Sequence, residues 1–160
     1  MNRRQFLLIA WTLAAAEKAN GKPGVFEVNG IAAKVNGRVI TKNQIHMLMV
    51  PKKRKLDARF PQQGAEYEDE LEEVRKQTIH EQIERLKLID RFNKPPIQID
   101  GKAVADEIGR EIRDVYEGDR ELFRETLRSF RMTMDGYRNL IREKLLAEAL
   151  RVREAGKKGF

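Results

Sequence analysis

The chain has 160 residues and no cysteine; 41% of its residues are apolar, 36% are charged and 7% are aromatic, and its formal net charge is +7. This length predicts one domain with a modest core, and the absence of cysteine excludes disulfides, thiol catalysis and a lipid anchor on cysteine. So many charges with so few aromatic side chains are typical of a mainly α-helical protein rather than a β-sandwich.

The N-terminus has the pattern of an export signal. Residues 2–4 are a short basic start, 6–16 are an apolar run, and Ala14 and Ala16 are small residues of the kind that signal peptidase accepts. The run is shorter than the about 20 apolar residues that span a bilayer. We therefore predict a cleaved signal peptide over 1–16 and no stable membrane span. The basic start also resembles the twin-arginine consensus, so the general secretory route and the twin-arginine route both stay open.

A β-hairpin is predicted after a flexible linker over 17–27. Polar and apolar residues alternate over 28–35, residues 38–40 form a second β-rich run, and Asn36-Gly37 separates the two runs. Asn-Gly is the strongest short hairpin signal, because both turn positions need a positive φ. A hairpin alone is marginally stable, so we expect this one to pack on helices.

The first helix is predicted to begin at Lys42, because Thr41 and Gln44 form a capping box. We expect it to end at Pro51 and to be followed by a loop over 51–64. The basic run 52–55 lies in this predicted loop. We interpret it as solvated rather than as a nucleic-acid site, because no aromatic residue is interleaved to stack on bases.

A long amphipathic helix over about 65–94 is the element around which the rest is organised. Its apolar residues recur at spacings of three and four and form one stripe, which the neighbouring segments must cover. Pro95-Pro96 ends the pattern. The stripe consists of Leu71, Val74, Thr78 or Ile79, Ile83, Leu86, Ile89 and Phe92.

Three shorter helices are predicted after this break, and Asp100, Asp119 and Thr133 are their N-caps. Gly118 ends the first of the three. In the last, Leu140, Ile141, Leu145, Ala149 and Val152 are predicted to face inward. The predicted fold class is mainly α, with one small N-terminal hairpin, in a single domain over 28–155 followed by a flexible tail over 156–160.

Residues suited to catalysis are scarce. Neither His46 nor His80 has a second His, Cys or carboxylate at metal-ligand spacing on the same helix face beyond what chance gives in so charged a sequence. Ser129, the single serine, lies in no nucleophile motif. The carboxylates alternate with basic residues, which is typical of a solvated helix face. We therefore predict no catalytic residue, no metal site and no cofactor.

Methionines in the first helix and before the last helix suggest a peptide-binding surface. Their side chains are flexible and polarisable, so they suit a groove that accepts varied apolar segments. Ordinary core packing is the alternative for each of them. The groove candidates are Ile45, Met47, Leu48, Met49, Phe123, Phe130, Met132 and Met134.

The order of these parts resembles the N-terminal chaperone domain of SurA and related periplasmic parvulin-type foldases. The residues that carry the resemblance are the hairpin and helix entry at 31–41, the long-helix segment 81–86, the pair 99–100, and Tyr-Arg-Asn-Leu-Ile-Arg at 137–142. It spans about residues 28–153. It implies a hairpin packed on a long helix and three to four shorter helices.

This resemblance implies a periplasmic chaperone domain whose partners are unfolded or extended polypeptide clients, with no nucleic acid. Since eight residues follow Val152, we expect no parvulin domain and no prolyl isomerase activity. Whether a homodimer or a separate partner chain supplies the family's C-terminal helix stays open. The alternative is an assembly subunit that uses the same groove as a fixed interface. A basic nucleic-acid-binding protein retained in the cytoplasm is a third hypothesis.

Overall fold

The computed structural model describes residues 30–92 and 96–158. A two-stranded hairpin is followed by five helices: β1 (Ile31–Val35), β2 (Arg38–Thr41), α1 (Lys42–Arg59), α2 (Ala65–Asp90), α3 (Gly101–Tyr116), α4 (Arg120–Ser129) and α5 (Met134–Lys158). The predicted fold class is confirmed. The predicted signal peptide over 1–16 and the linker over 17–27 lie outside the described residues. Within the described ranges, none of the helices has the length and apolarity that a membrane crossing requires.

The hairpin forms where the turn residues predict it. Asn36 and Gly37 have φ angles of 48° and 83°, as a two-residue hairpin turn requires. The strands pair antiparallel in a register that places Val35 opposite Arg38. Val35 and Ile40 are buried against the helices, so one face of the hairpin belongs to the core.

Helix α1 begins at the predicted capping box but does not end at Pro51. The Gln44 N–H donates to the Thr41 hydroxyl at 3.2 Å, and the Thr41 N–H donates to the Gln44 side chain at 2.8 Å. The helix then runs through Pro51 to Arg59. The expected end was wrong because the turns after Pro51 are held by tertiary packing, which outweighs the helix penalty of proline of about 3 kcal/mol.

The second half of α1 is anchored by its own polar residues. Lys52 Nζ donates to Glu81 of α2 at 2.8 Å, and the guanidinium of Arg54 lies 5.1 Å from the centre of the Tyr116 ring. Lys53 Nζ donates to Asp57 at 2.8 Å. The basic run predicted for a loop is therefore helical, and three of its four side chains make contacts within the protein.

Helix α2 confirms the predicted long helix from Ala65, although it ends at Asp90 rather than near residue 94. It packs against α1, α5 and the hairpin. Leu86 and Ile89 of the predicted stripe are buried. Two polar residues of α2 are buried as well, Thr78 of the stripe and Gln82 outside it, each 2% exposed.

The three later helices begin at the predicted caps. Asp100 accepts from the Ala103 N–H at 2.7 Å, Asp119 from the Leu122 N–H at 2.9 Å, and the Thr133 hydroxyl from the Gly136 N–H at 3.0 Å. Side chains of α1, α3, α4 and α5 form the largest cluster of the core, which includes Met47, Val104, Ile108, Ile112, Tyr116, Phe123, Leu127, Tyr137, Leu140 and Ile141.

The end of α5 differs from its prediction. Val152 is 73% exposed, whereas Ala147 and Leu150 are fully buried against α2. Val152 follows Ala147 by five residues, about 140° around the helix, so both cannot face the same neighbour. The helix also continues to Lys158, past residue 156, where we expected a flexible tail to begin.

Arg38 connects the hairpin to both long helices. It forms an ion pair with Asp90 at the end of α2, at 3.2 Å, and a second with Glu143 of α5. The side chain of Asn36 also donates to Asp90, at 3.1 Å. This arrangement ties the hairpin turn to the α2–α5 pair.

Candidate functional site

Four of the predicted groove residues belong to the core. Met47 and Phe123 lie in the cluster between α1, α3, α4 and α5. Ile45 and Met49 lie in the cluster beneath the hairpin. Each of the four is less than 9% exposed. Met47, which is 1% exposed, is a core residue, as the alternative for the methionines predicted, and Met49, which is 7% exposed, is largely one.

The other candidates do not share one surface. Leu48 lines a cavity between four helices together with Met47, and Met134 lines a depression between α3, α4 and α5 together with Phe123. Met132 lies with Phe130 near the start of α1. The structure therefore does not assemble the predicted set into one groove, because helix packing directs neighbouring residues to different sides.

An open apolar groove is present elsewhere, between α1, the first half of α2, and the residue after α4. We call it the α1–α2 groove, and its volume is about 400 Å³. Its floor consists of Met49, Val50, Leu71 and Phe130, and its rim of His46, Lys53, Glu68, Glu72 and Arg75. Met49 and Phe130 are the two candidates that it retains.

The helical period explains how α1 and α2 supply these walls. On α2, Glu68, Leu71, Glu72 and Arg75 are spaced by three, four and seven residues, so they share one face. On α1, His46, Met49, Val50 and Lys53 likewise share one face over two turns. Phe130 is the residue after α4, and its ring lies 5.7 Å from that of His46.

Several of the charged groups on the rim already have partners. Arg75 donates two hydrogen bonds to Glu72, at 2.7 and 2.6 Å. Asp57 accepts from Lys53 at 2.8 Å and from the Tyr67 hydroxyl at 2.7 Å. These hydrogen bonds hold the pKa of Asp57 below its ordinary value, and the hydrogen bond from Lys53 has the larger effect. A ligand therefore meets an apolar floor bordered by paired charges.

The surroundings of His46 favour the uncharged form of its imidazole. Partial burial lowers the pKa of its imidazole from 6.5, and the positive charges of Arg75 and Lys42 lower it further. Within the residues that the structure describes, no three His, Cys, Asp or Glu side chains are grouped so that they could hold a metal ion. The imidazole lies against the Phe130 ring at an interplanar angle of 44°, so it extends the apolar wall of the groove.

Val50, His46 and Arg75 are groove residues that were not predicted from the sequence. The spacing of Leu71 and Arg75 on the α2 stripe could have indicated a shared face, but which face stays uncovered depends on the packing of α1. The place of Phe130 depends on the backbone after α4, where Arg131 has a positive φ of 49°. No local pattern in the sequence indicates that conformation.

Comparison with known proteins adds one family. A family model described as a SurA-like N-terminal domain matches residues 5–151, which include the hairpin, α1 to α4, most of α5 and the whole α1–α2 groove. No curated protein matches the chain. Domains of this kind have a chaperone-type, polypeptide-binding role in general, and they are typically periplasmic.

Proposed function

Because the chain belongs to the family of SurA-like N-terminal domains, we propose that it is a non-catalytic periplasmic chaperone domain. It holds extended apolar segments of unfolded exported or outer-membrane proteins in the α1–α2 groove. The observation that carries the proposal is the concave apolar floor, which stays open to solvent although most large apolar side chains of the described residues are buried.

The size of the groove suits a short polypeptide segment. Its volume of about 400 Å³ falls in the range of about 300–1,000 Å³ that is usual for binding pockets. Burying one large apolar side chain contributes about 1.5–3 kcal/mol. Two such side chains, less the cost of ordering the chain, give weak and reversible binding, which a chaperone that must release its client requires.

The chemistry of the groove favours loose selectivity. Met49 in the floor has a flexible, polarisable side chain that adapts to different shapes. Arg75 and Lys53 on the rim form ion pairs with Glu72 and Asp57. Fewer charged groups are therefore free to form directional contacts that would select a particular client sequence. Apolar surface without directional hydrogen bonds accepts many sequences.

The absence of catalysis is part of the proposal. His46, the histidine in the groove, lies against Phe130, and the Ser129 hydroxyl donates to the Thr126 carbonyl at 2.8 Å. Neither is placed as half of a nucleophile–base pair. We expect a proline-isomerisation assay with the purified chain to give the uncatalysed rate.

Export to the periplasm is proposed from the basic start, the apolar run over 6–16 and the family's usual location. N-terminal sequencing of the protein from a periplasmic fraction should begin at Glu17. Recovery of the intact N-terminus from the cytoplasm would contradict the proposal.

The groove itself can be tested with a matched pair of charge substitutions. Leu71→Lys places an ammonium group in the apolar floor, and Val152→Lys places the same group at a site that is already 73% exposed. We expect the wild type and Val152→Lys to slow the aggregation of an unfolded outer-membrane protein, and Leu71→Lys to lose most of this effect.

Photocrosslinking gives a second test that needs no charge in the floor. A photoreactive residue at Val50 should capture unfolded client, and one at Val152 should not. Equal capture from both positions would contradict binding in the groove. Light scattering that shows a tight dimer, crosslinked to itself through Val50, would instead favour the assembly-subunit alternative.

A further inference from the structure

A second cavity lies where α1, α2, α3 and α5 meet, and it differs in character from the α1–α2 groove. This four-helix cavity has a volume of about 190 Å³. Met47, Leu48 and Ile141 form apolar parts of its wall, and charged or hydroxyl-bearing side chains form much of the rest. It is large enough for a molecule of a few non-hydrogen atoms and too small for a folded partner.

Tyr137 lines this cavity and is 1% exposed. Its hydroxyl forms no hydrogen bond of standard length and angle among the described residues, and the polar group that interacts with it is the Glu111 carboxyl. The carboxyl of Glu111 faces the same cavity. A buried hydroxyl without a partner costs about 1–3 kcal/mol, so native proteins nearly always supply one.

Arg85 is the cation of the cavity without a carboxylate partner. It donates to the Gln82 side-chain oxygen at 2.7 Å, and no carboxylate of the described residues forms an ion pair with it. A guanidinium carries five N–H donors, so Arg85 can donate to further acceptors. Burial lowers its pKa and the positive charge of Arg151 lowers it further, while the charges of Glu143, Glu148 and Glu81 act in the opposite direction.

Glu111 is the corresponding acid. The other charges of the cavity are neutralised, since Lys52 is bound to Glu81 at 2.8 Å and Lys144 to Glu107 at 2.7 Å. Glu111 forms no ion pair among the described residues, and burial raises its pKa, while Tyr137 and Lys144 act in the opposite direction. A guanidinium and a carboxyl group, neither of them in an ion pair among the described residues, thus face the same cavity from different helices.

We propose that the four-helix cavity binds a small zwitterion of the amino-acid type. Its carboxylate binds the Arg85 guanidinium, its ammonium group binds the Glu111 carboxylate, and its short carbon chain packs on Met47, Leu48 and Ile141. The ligand completes hydrogen bonds that the protein leaves unmade, including one with the Tyr137 hydroxyl. This site is independent of client binding in the α1–α2 groove.

Three probes of similar shape test the charge requirement. The full chain is titrated by calorimetry with γ-aminobutyrate, with butyrate, which lacks the ammonium group, and with butylammonium, which lacks the carboxylate. We expect saturable binding of γ-aminobutyrate and at least about tenfold weaker binding of the other two, as the loss of one buried charge-assisted contact predicts. No saturable binding, or equal binding of all three probes, would overturn the proposal.

The two buried tyrosines provide a matched control. The Tyr116 hydroxyl is also buried without a partner, but Tyr116 does not line the cavity. Tyr137→Phe should weaken γ-aminobutyrate binding about tenfold, whereas Tyr116→Phe should leave it unchanged. Equal weakening by both substitutions would show that the effect does not come from this cavity.

Glu111→Gln tests the ammonium contact. It should reduce γ-aminobutyrate binding to the level of butyrate and leave butyrate binding unchanged. A variant that still prefers γ-aminobutyrate by the wild-type margin would exclude Glu111 as the ammonium partner. Circular dichroism of each variant establishes that it is folded before it is titrated.

Discussion

Pro51 offers the sharpest test of how α1 is held together. It lies in the interior of the helix Lys42–Arg59, where it supplies no N–H to the Met47 carbonyl and its ring crowds that carbonyl. Replacing an interior proline by alanine removes a helix penalty of about 3 kcal/mol. The unfolded chain gains freedom worth about 0.4–1 kcal/mol, which opposes the gain.

We therefore expect Pro51→Ala to stabilise the protein by about 2 kcal/mol, which corresponds to a rise in Tm of about 4–8 °C for a domain of this size. Urea denaturation followed by circular dichroism measures the change. Pro61→Ala is the control, since Pro61 is exposed in the loop between α1 and α2. It should give no gain and at most a small loss.

This stabilisation is expected if the packing of Lys52, Leu56 and Asp57 holds the helix against its proline. A destabilised Pro51→Ala protein would refute this assumption. It would mean that the native packing of α1 requires the distortion that proline imposes.

Three further substitutions test the other contacts. Thr41→Ala removes the hydroxyl that accepts from the Gln44 N–H and should cost about 1 kcal/mol in urea denaturation, whereas Thr41→Ser should keep the cap; equal losses would contradict this role. Arg38→Met breaks partly exposed ion pairs to Asp90 and Glu143 and should cost only about 1 kcal/mol, with a larger loss showing that the hairpin depends on them. Burial raises the pKa of Glu111 above 4.5 in the folded protein, so ionisation of Glu111 destabilises the fold. This loss of stability becomes larger as the pH rises from 4.5 towards the raised pKa. Glu111→Gln should therefore gain over the wild type between acid and neutral pH in urea denaturation, and parallel pH profiles would refute the assignment.

The local chemistry of the sequence was enough to place most element boundaries. Asn36 and Gly37 accept the positive φ angles of the hairpin turn, and Asp100 and Asp119 supply the oxygens that cap α3 and α4. Each of these effects acts within about four residues, so it can be recognised without knowing the fold. The family resemblance, which rests on the order of such segments, was confirmed for the same reason.

The errors arose where distant residues decide the outcome. Proline ends an isolated helix, but α1 continues because residues after Pro51 contact α2 and α3. Met47 and Met49 are two residues apart, yet Met47 faces the main core and Met49 also borders the open groove. The position of Val152 on α5 depends on which side of that helix meets α2.

The sequence by itself determined the hairpin, the helix starts and the mainly α fold class, because turn geometry and capping depend on neighbouring residues. The tertiary structure alone decided where an apolar surface stays open and where charges stay unpaired. Leu71 and Phe130 become one groove, and Arg85 and Glu111 face one cavity, only when the packed helices bring together residues that are tens of positions apart. Periodicity identifies the face of a helix, but the packing of the other helices determines whether that face is covered.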